Sequence, residues 1–284
     1  MLESSPNKNF NMKKNHFYIE SLGCAKNSVD SRAMAELLAL SGMTEADEPA
    51  QAEVIIVNTC GFIQPARQES LDVLSEFASD KQKGQLLVAA GCLSQREKGQ
   101  LLVEVPGLDA ALGTRRWADI VRVVKKAREK SGGSPYLYFP DSERIIDDDQ
   151  GVPRAAVQGA SAYLKIADGC DRACAFCAIP AIKGPMVSRP IERVVSDARY
   201  LQELDVKEII LIAQNTSAYG RDLGKRDALP GLLEAICEGV PGLEWLRILY
   251  AYPQDVSPRL VETMARLPQV LPYVDLPLQH AHPD

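Results

Sequence analysis

From His16 onward, short apolar runs alternate with longer stretches in which apolar residues return at helical spacing. Phe17-Tyr18-Ile19 predicts a strand that ends at Ser21-Leu22-Gly23-Cys24. Val29, Ala33, Leu37 and Leu40 then share one helical face over 28–40, and Gly42 closes that helix. Val54-Ile55-Ile56-Val57 is a continuous apolar run of the kind buried in a parallel sheet, and it leads into Asn58-Thr59-Cys60-Gly61. A helix over 65–83 follows, with Pro65 tolerated in its first turn. Leu86-Leu87-Val88-Ala89-Ala90 predicts a third strand entering Gly91-Cys92. A helix over 94–103, a short strand over 109–112 and a closing helix over 117–130 complete the series. Strands alternating with helices imply a doubly wound parallel α/β sheet.

Ser131-Gly132-Gly133-Ser134-Pro135 breaks the pattern, and the stretch 141–149 carries five acidic residues against one arginine. Residues 136–159 therefore read as a solvated linker with one strand at 136–139. A second series begins near Ala160, with strands over 161–167, 208–213 and 245–250 and helices over 190–204, 229–237 and 258–267. Another strand starts at 273–276. These are βα units of barrel type, whose functional loops follow the strands. The expected organisation is a disordered extension over 1–15, an N-terminal α/β domain over 16–135, the linker, and a partial (βα) barrel over 160–284.

The cysteines turn this pattern into chemistry. Cys24, Cys60 and Cys92 each lie just past the carboxyl end of a predicted strand, and in an open parallel sheet those ends line one crevice. For any one of them, a buried thiol acting as a small hydrophobe is the better reading; three at equivalent junctions favour a shared site. A second group is denser: Gly169-Cys170-Asp171-Arg172-Ala173-Cys174-Ala175-Phe176-Cys177 directly follows the strand at 161–167. Sulfurs this close on one loop can turn toward one centre, and thiolates favour soft or iron–sulfur metals. Three ligands on a cube of four irons leave one iron open, as reactive metal sites require. Cys237 lies mid-helix among Leu233, Ala235 and Ile236 and reads as a buried thiol.

Composition narrows the setting. A chain of 284 residues suits two domains, and 46% hydrophobic with 25% charged residues is a globular balance. No apolar run approaches the roughly 20 residues of a membrane span, and the polar N-terminus, with a second methionine at Met12, lacks a signal-peptide core. The expected compartment is cytoplasmic, where seven cysteines serve as thiols or ligands rather than staples. A net charge of −6 gives no global attraction for phosphate backbones, so nucleic acid contact is secondary.

The spacing of Cys170, Cys174, Phe176 and Cys177 resembles the signature of the radical S-adenosylmethionine superfamily. The resemblance implies a 4Fe–4S cluster on the three cysteines, its open iron chelated by the amino and carboxylate groups of S-adenosyl-L-methionine. An electron from that cluster then yields a 5′-deoxyadenosyl radical. The runs 21–31, 58–63 and Gly91-Cys92-Leu93 resemble the N-terminal domain of methylthiotransferases, which implies a second 4Fe–4S cluster on Cys24, Cys60 and Cys92. The runs 213–220, Tyr250-Ala251-Tyr252-Pro253 and 275–281 make the chain similar to the RimO type of that family. The implied transferase reaction adds a methylthio group to the β-carbon of an aspartate on small-ribosomal-subunit protein twelve, with an electron donor and a sulfur donor as further partners.

Phe176 is then expected near the adenine, with ordinary core filling as the alternative. Gln214 is a candidate contact to S-adenosyl-L-methionine, with a capping or turn role as the alternative. Asn215 stands where the family pattern leads one to expect an aspartate. That pattern also continues into further barrel strands and a small β-domain, so the chain reads as C-terminally truncated. His280 and His282 are further candidate ligands. Lys26, Arg172, Lys183 and Arg189 could rim a site for an acidic substrate, with solvated loop charges as the default. Two other readings compete: the sister activity on a tRNA adenosine, and a non-enzymatic iron–sulfur protein.

Overall fold

The computed structural model describes residues 12–130, 133–145 and 149–279. His280 and His282 lie outside the described residues, as do residues 1–11 of the expected extension. The first half is a parallel sheet of β1 (Lys13–Ser21), β2 (Thr44–Glu45), β3 (Ala52–Thr59), β4 (Leu86–Gly91), β5 (Ala110–Leu112) and β6 (Tyr136–Tyr138). Its helices are α1 (Ala25–Leu40), α2 (Gln64–Asp80), α3 (Cys92–Glu97), α4 (Leu101–Glu104) and α5 (Ile120–Glu129). The spatial order is β2-β1-β3-β4-β5-β6, every pair parallel. Ala33, Met34, Leu37 and Leu38 of α1 pack with α5 residues on one face, and Leu71, Leu74, Leu93 and Leu101 cover the other. The sheet is thus doubly wound, and its order reverses beside β1, which places the crevice at the carboxyl ends of β1 and β3.

Before the second sheet, four expectations change. The helix expected over 94–103 is broken into α3, a 3₁₀ turn at Lys98–Gln100 and α4, because Lys98 takes φ 49° just before Gly99. The closing helix opens with a 3₁₀ segment, Thr114–Asp119, kinked at Arg116. The stretch read as a linker with one strand holds two: β6, the edge of the first sheet, because its backbone pairs with β5, and Ala155–Gln158, which edges the second sheet. Residues 13–15, read as part of the extension, belong to β1.

The second half contains β7 (Ala155–Gln158), β8 (Ser161–Lys165), β9 (Ala167–Asp168), α6 (Ile179–Lys183), β10 (Val187–Ser188) and α7 (Ile191–Glu203). After these come β11 (Glu208–Ile212), α8 (Leu229–Gly239), β12 (Trp245–Ile248) and α9 (Pro258–Arg266). β8, β11 and β12 are parallel, and β7 adds an antiparallel edge. Leu164, Leu211, Leu246 and their neighbours form a core with α7, α8 and α9. No strand forms at 273–276, where Pro272 and Pro277 withhold backbone donors; pairing reaches only a parallel Leu246–Val270 bridge.

α1 belongs to both halves. Its Val29 packs with Ala156 and Ile212 of the second sheet, and Ala25, Tyr163, Ile210 and Tyr250 close around them. One helix therefore carries Cys24 at its N-cap and rests its flank on the barrel strands.

Candidate functional site

Cys24 follows β1, Cys60 follows β3 and Cys92 opens α3 after β4. The registers Ser21↔Asn58 and Thr59↔Gly91 bring these three strand ends level, so residues scattered in sequence share one edge. Side chains hold that edge rigidly. Asn27 Nδ2 donates to the carbonyls of Leu22 at 2.8 Å and Thr59 at 3.1 Å, while Asn58 Nδ2 donates to Asn27 O and Ser31 Oγ, both at 2.9 Å. Ser70 Oγ accepts from Cys60 N and donates to Cys60 O, both at 2.9 Å. Gly23 has φ +92°, and a Cβ there would sit 2.7 Å from Cys60 Cβ and 2.9 Å from its Sγ; only glycine leaves the thiol its place. Cys60 and Cys92 are buried and Cys24 is exposed, which opens the group on one side. Burial pushes the Cys92 thiol up to about 11; Lys183 pulls the other way, and the charges of Cys24, Asp30 and Cys60 add to the rise. Burial likewise raises Cys60.

The second group lies on one loop after β9. Cys170 N donates to Gly184 O at 3.1 Å, Cys177 N to Cys174 O at 3.0 Å, and Arg172 N to Cys170 Sγ at 3.5 Å. Gly169 takes φ +73°, and a Cβ there would stand 2.1 Å from Pro185 O. All three cysteines are half-buried, and Cys174 Sγ reaches Gln279 Oε1 at 3.6 Å. Burial raises the Cys170 thiol, with Cys177 and Cys174 adding to the effect.

All seven cysteines are free thiols. Among the described residues, no three His, Cys, Asp or Glu side chains converge as a set that could hold a metal ion. A cluster takes its thiolates at separate irons, and two groups of three thiols in glycine-shaped loops suit it by donor chemistry. Phe176 is 68% exposed, which removes the core-filling alternative. Gln214 Oε1 is buried without a hydrogen-bond partner among the described residues, and the 3₁₀ turn at Thr216–Ala218 is not capped by it. An orphaned buried acceptor at a strand end fits a ligand's donor. Cys237 is buried in the α8 core, as read from its neighbours, and burial pushes its thiol up to about 11.

Neither the possible surface rim nor the default of solvated loop charges describes Lys26, Lys183 and Arg189. Lys26, Lys183 and Arg189 are buried. Arg189 pairs with Asp149 at 3.1 Å and Asp197 at 2.9 Å. Arg172 pairs with Asp255, which also takes Arg221 Nη2 at 2.6 Å and Asn215 Nδ2 at 2.8 Å. Burial would raise the Asp255 carboxyl, but those three donors outweigh it and hold it below the usual range. Asn215 therefore supplies a donor to a carboxylate; an aspartate at that place would face Asp255 as a like charge.

Between the two cysteine groups lies a buried ion network absent from the sequence reading. Lys165 Nζ is 2.5 Å from Asp30 Oδ1 and 3.0 Å from Asp168 Oδ2; Lys183 Nζ is 3.4 Å from Asp30 Oδ2 and 3.0 Å from Asp168 Oδ1. Arg154 binds Asp30 and lies 3.3 Å from Asp168, with its guanidinium 3.9 Å from the centroid of the Trp117 ring. Asp30 comes from α1 and its partners from the second half, so the network ties the Cys24 helix to the strand before Cys170. Its one legible trace is Lys165, a charge inside the apolar run 163–167. Lys26 has a different partner: its Nζ sits 3.1 Å from the centroid of Tyr250, and burial pushes its ammonium down to about 8.

Comparisons with known proteins agree with this division. A model described as "Uncharacterized protein family UPF0004" matches residues 16–113, and one described as "Radical SAM superfamily" matches 164–284. The chain is 44% identical to "Ribosomal protein uS12 methylthiotransferase RimO" of Roseiflexus sp. (strain RS-1), over 94% of this chain and 60% of that one. It is 45% identical to the protein of the same name from Herpetosiphon aurantiacus, over 94% and 62%. The chain thus spans about 60% of the length of these curated relatives. In fold it is similar to a radical S-adenosylmethionine methyltransferase, TsrM, from Kitasatospora setae. That likeness has TM-score 0.62 at 12% identity, covering 94% of this chain and 60% of the other, so it spans both sheets.

Proposed function

We propose that the chain, which matches both family models and is 44–45% identical to the RimO methylthiotransferases over 94% of its length, belongs to the radical S-adenosylmethionine methylthiotransferase family and adds a methylthio group to the β-carbon of an aspartate on small-ribosomal-subunit protein twelve. The observation that carries this reading is the pairing of two cysteine groups, one at the carboxyl edge of the first parallel sheet and one on the loop that continues β8 and β9, with α1 packed on both halves. Cys170, Cys174 and Cys177 hold one 4Fe–4S cluster with S-adenosyl-L-methionine, and Cys24, Cys60 and Cys92 hold another. When bound, these groups supply the one-electron chemistry that an unactivated carbon demands, since no general base removes its proton.

The protein's own part is to orient and enclose. Gln214 Oε1 offers a buried acceptor to the bound cofactor, and the exposed Phe176 ring offers it a face. The ion network around Asp30 and Asp168 fixes the distance between the two groups, and Asn27, Asn58 and Ser70 keep the first edge from deforming. An electron donor and a sulfur donor are required partners. Among the described residues no helix is long and apolar enough to cross a membrane, and the reading places the protein in the cytoplasm with the ribosome.

Mass spectrometry after anaerobic reaction tests the reading. A methylthio shift on the ribosomal protein is the expected result. A shift on tRNA nucleosides instead would move the chain to the sister activity, and absence of 5′-deoxyadenosine formation would leave a non-enzymatic iron–sulfur protein.

A further inference from the structure

We propose that Lys26, seated on Tyr250, is the binding site for the side-chain carboxylate of the residue being modified; this rests on the functional reading above. Lys26 is 8% exposed and stands two residues after Cys24, in the first turn of α1. Among the described residues, no carboxylate lies within ion-pair or hydrogen-bond distance of its ammonium. Its buried neighbours differ: Arg154, Lys165 and Lys183 share Asp30 and Asp168, and Arg189 has Asp149 and Asp197. The face of Tyr250 offsets part of the desolvation of this buried ammonium, and the charges of Cys24 and Asp168 act on it only from beyond contact distance.

Tyr250 supplies a second, independent sign. It takes φ +62°, a left-handed conformation that is unusual for an aromatic residue. The strain is held by two hydrogen bonds: Tyr250 N donates to Asp275 Oδ2 at 2.9 Å, and Thr216 N donates to Tyr250 O at 3.0 Å. Strain of this kind collects at ligand sites, where it aims a side chain. Here it aims the ring from the end of the barrel strand β12 under a lysine from the first cysteine loop.

Charge selects the ligand class. Three cations against two carboxylates leave the adjacent network with one positive charge in excess, and Lys26 adds another. A single ammonium is a point-charge site for one anionic oxygen, and under the functional reading above that anion is the carboxylate of the modified residue. An aspartate held there keeps its β-carbon next to the anchored carboxylate, at a residue two positions along the chain from Cys24.

The test uses the cluster-loaded, full-length enzyme and two peptides that differ only in Asp or Asn at the modified position. The wild type should favour the Asp peptide in kcat/KM by about 100-fold, as a site built around one charged partner does. Lys26→Met should raise KM for the Asp peptide and cut that preference to within about threefold, and Lys26→Arg should restore most of it. Lys26→Gln repeats the comparison with a polar head, and wild-type iron content certifies the fold of each variant. An unchanged Asp preference in both neutral variants overturns the carboxylate site while leaving the methylthiotransferase reading intact. So does a shifted cluster potential with KM unchanged, which would make Lys26 a counter-charge to the cysteines. A wild type that modifies neither peptide overturns the functional reading, and this site with it.

Discussion

The two cysteine groups reach similar ends by opposite means. Cys170, Cys174 and Cys177 sit on one loop, half-buried, held mainly by backbone bonds such as Cys177 N to Cys174 O. Cys24, Cys60 and Cys92 come from three strand ends and depend on tertiary structure for every neighbour; Asn27, Asn58 and Ser70 fasten the strands to one another. The first arrangement is local and the second is a property of the whole sheet. Structural damage to the loop should therefore stay local, whereas damage to the strands that carry the first group should spread through the sheet.

The sharpest way to separate them is to remove one thiol from each. Cys174→Ala should abolish reductive cleavage of S-adenosylmethionine, by at least about 1,000-fold in 5′-deoxyadenosine formation. Cys60→Ala should leave that cleavage within about threefold while eliminating the methylthio product. Equal loss of both readouts in both variants would erase the distinction between the groups.

Asp30→Ala comes next, because it strikes what joins the two regions. The Asp30 side chain is 4% exposed and faces Arg154, Lys165 and Lys183, so its loss leaves three buried cations to share Asp168 alone. Breaking a buried network in this way costs about 3–5 kcal/mol, readable by chemical denaturation. A loss below about 1 kcal/mol would mean the halves hold together without it.

Acid should loosen the same joint. Burial would raise the Asp30 carboxyl, but Lys165, Lys183 and Arg154 outweigh it and hold it below its ordinary value; Asp149 and Asp255 are lowered too. A carboxyl depressed in the folded state contributes stability that is fully present above the unfolded value of about 4. That stability is lost as pH falls below about 4 toward the folded value, at up to ~1.4 kcal/mol per pH unit and group. Stability measured from pH 6 to pH 3 should fall accordingly, and Asp30→Asn should flatten the slope. A slope unchanged by Asp30→Asn would remove Asp30 from the acid response.

The smallest effects contrast a shaped site with a plain core. Gly23→Ala should cost about 1–3 kcal/mol, since φ +92° and the nearby Cys60 sulfur both resist a Cβ, and it should lower iron retention at the first group only. Cys237→Ala should cost no more than about 1.5 kcal/mol and leave iron content unchanged.

The same contrast decides what a sequence can disclose. The Cys170–Cys177 loop is legible because its geometry is local, and the strand-end cysteines because the alternation of runs implies a parallel sheet with one carboxyl edge. The ion network is legible only in Lys165, a charge inside an apolar run; Asp30 looks like an ordinary helix residue until α1 is laid across β7 and β8. The buried fates of Lys26, Lys183 and Arg189 were hidden for the same reason, since burial of a charge depends on partners far along the chain. The helix expected over 94–103 breaks at Lys98–Gly99, and the strand expected at 273–276 is withheld by two prolines, both local signals outvoted by apolar spacing.

The central claim is two cluster sites, and iron counting after anaerobic reconstitution tests it most directly. About eight irons per chain are expected, falling to about four when Cys24, Cys60 and Cys92 are all changed to Ala. Those four should still support cleavage of S-adenosylmethionine. About four irons in the unaltered protein, with no change on losing the first group, would contradict the account.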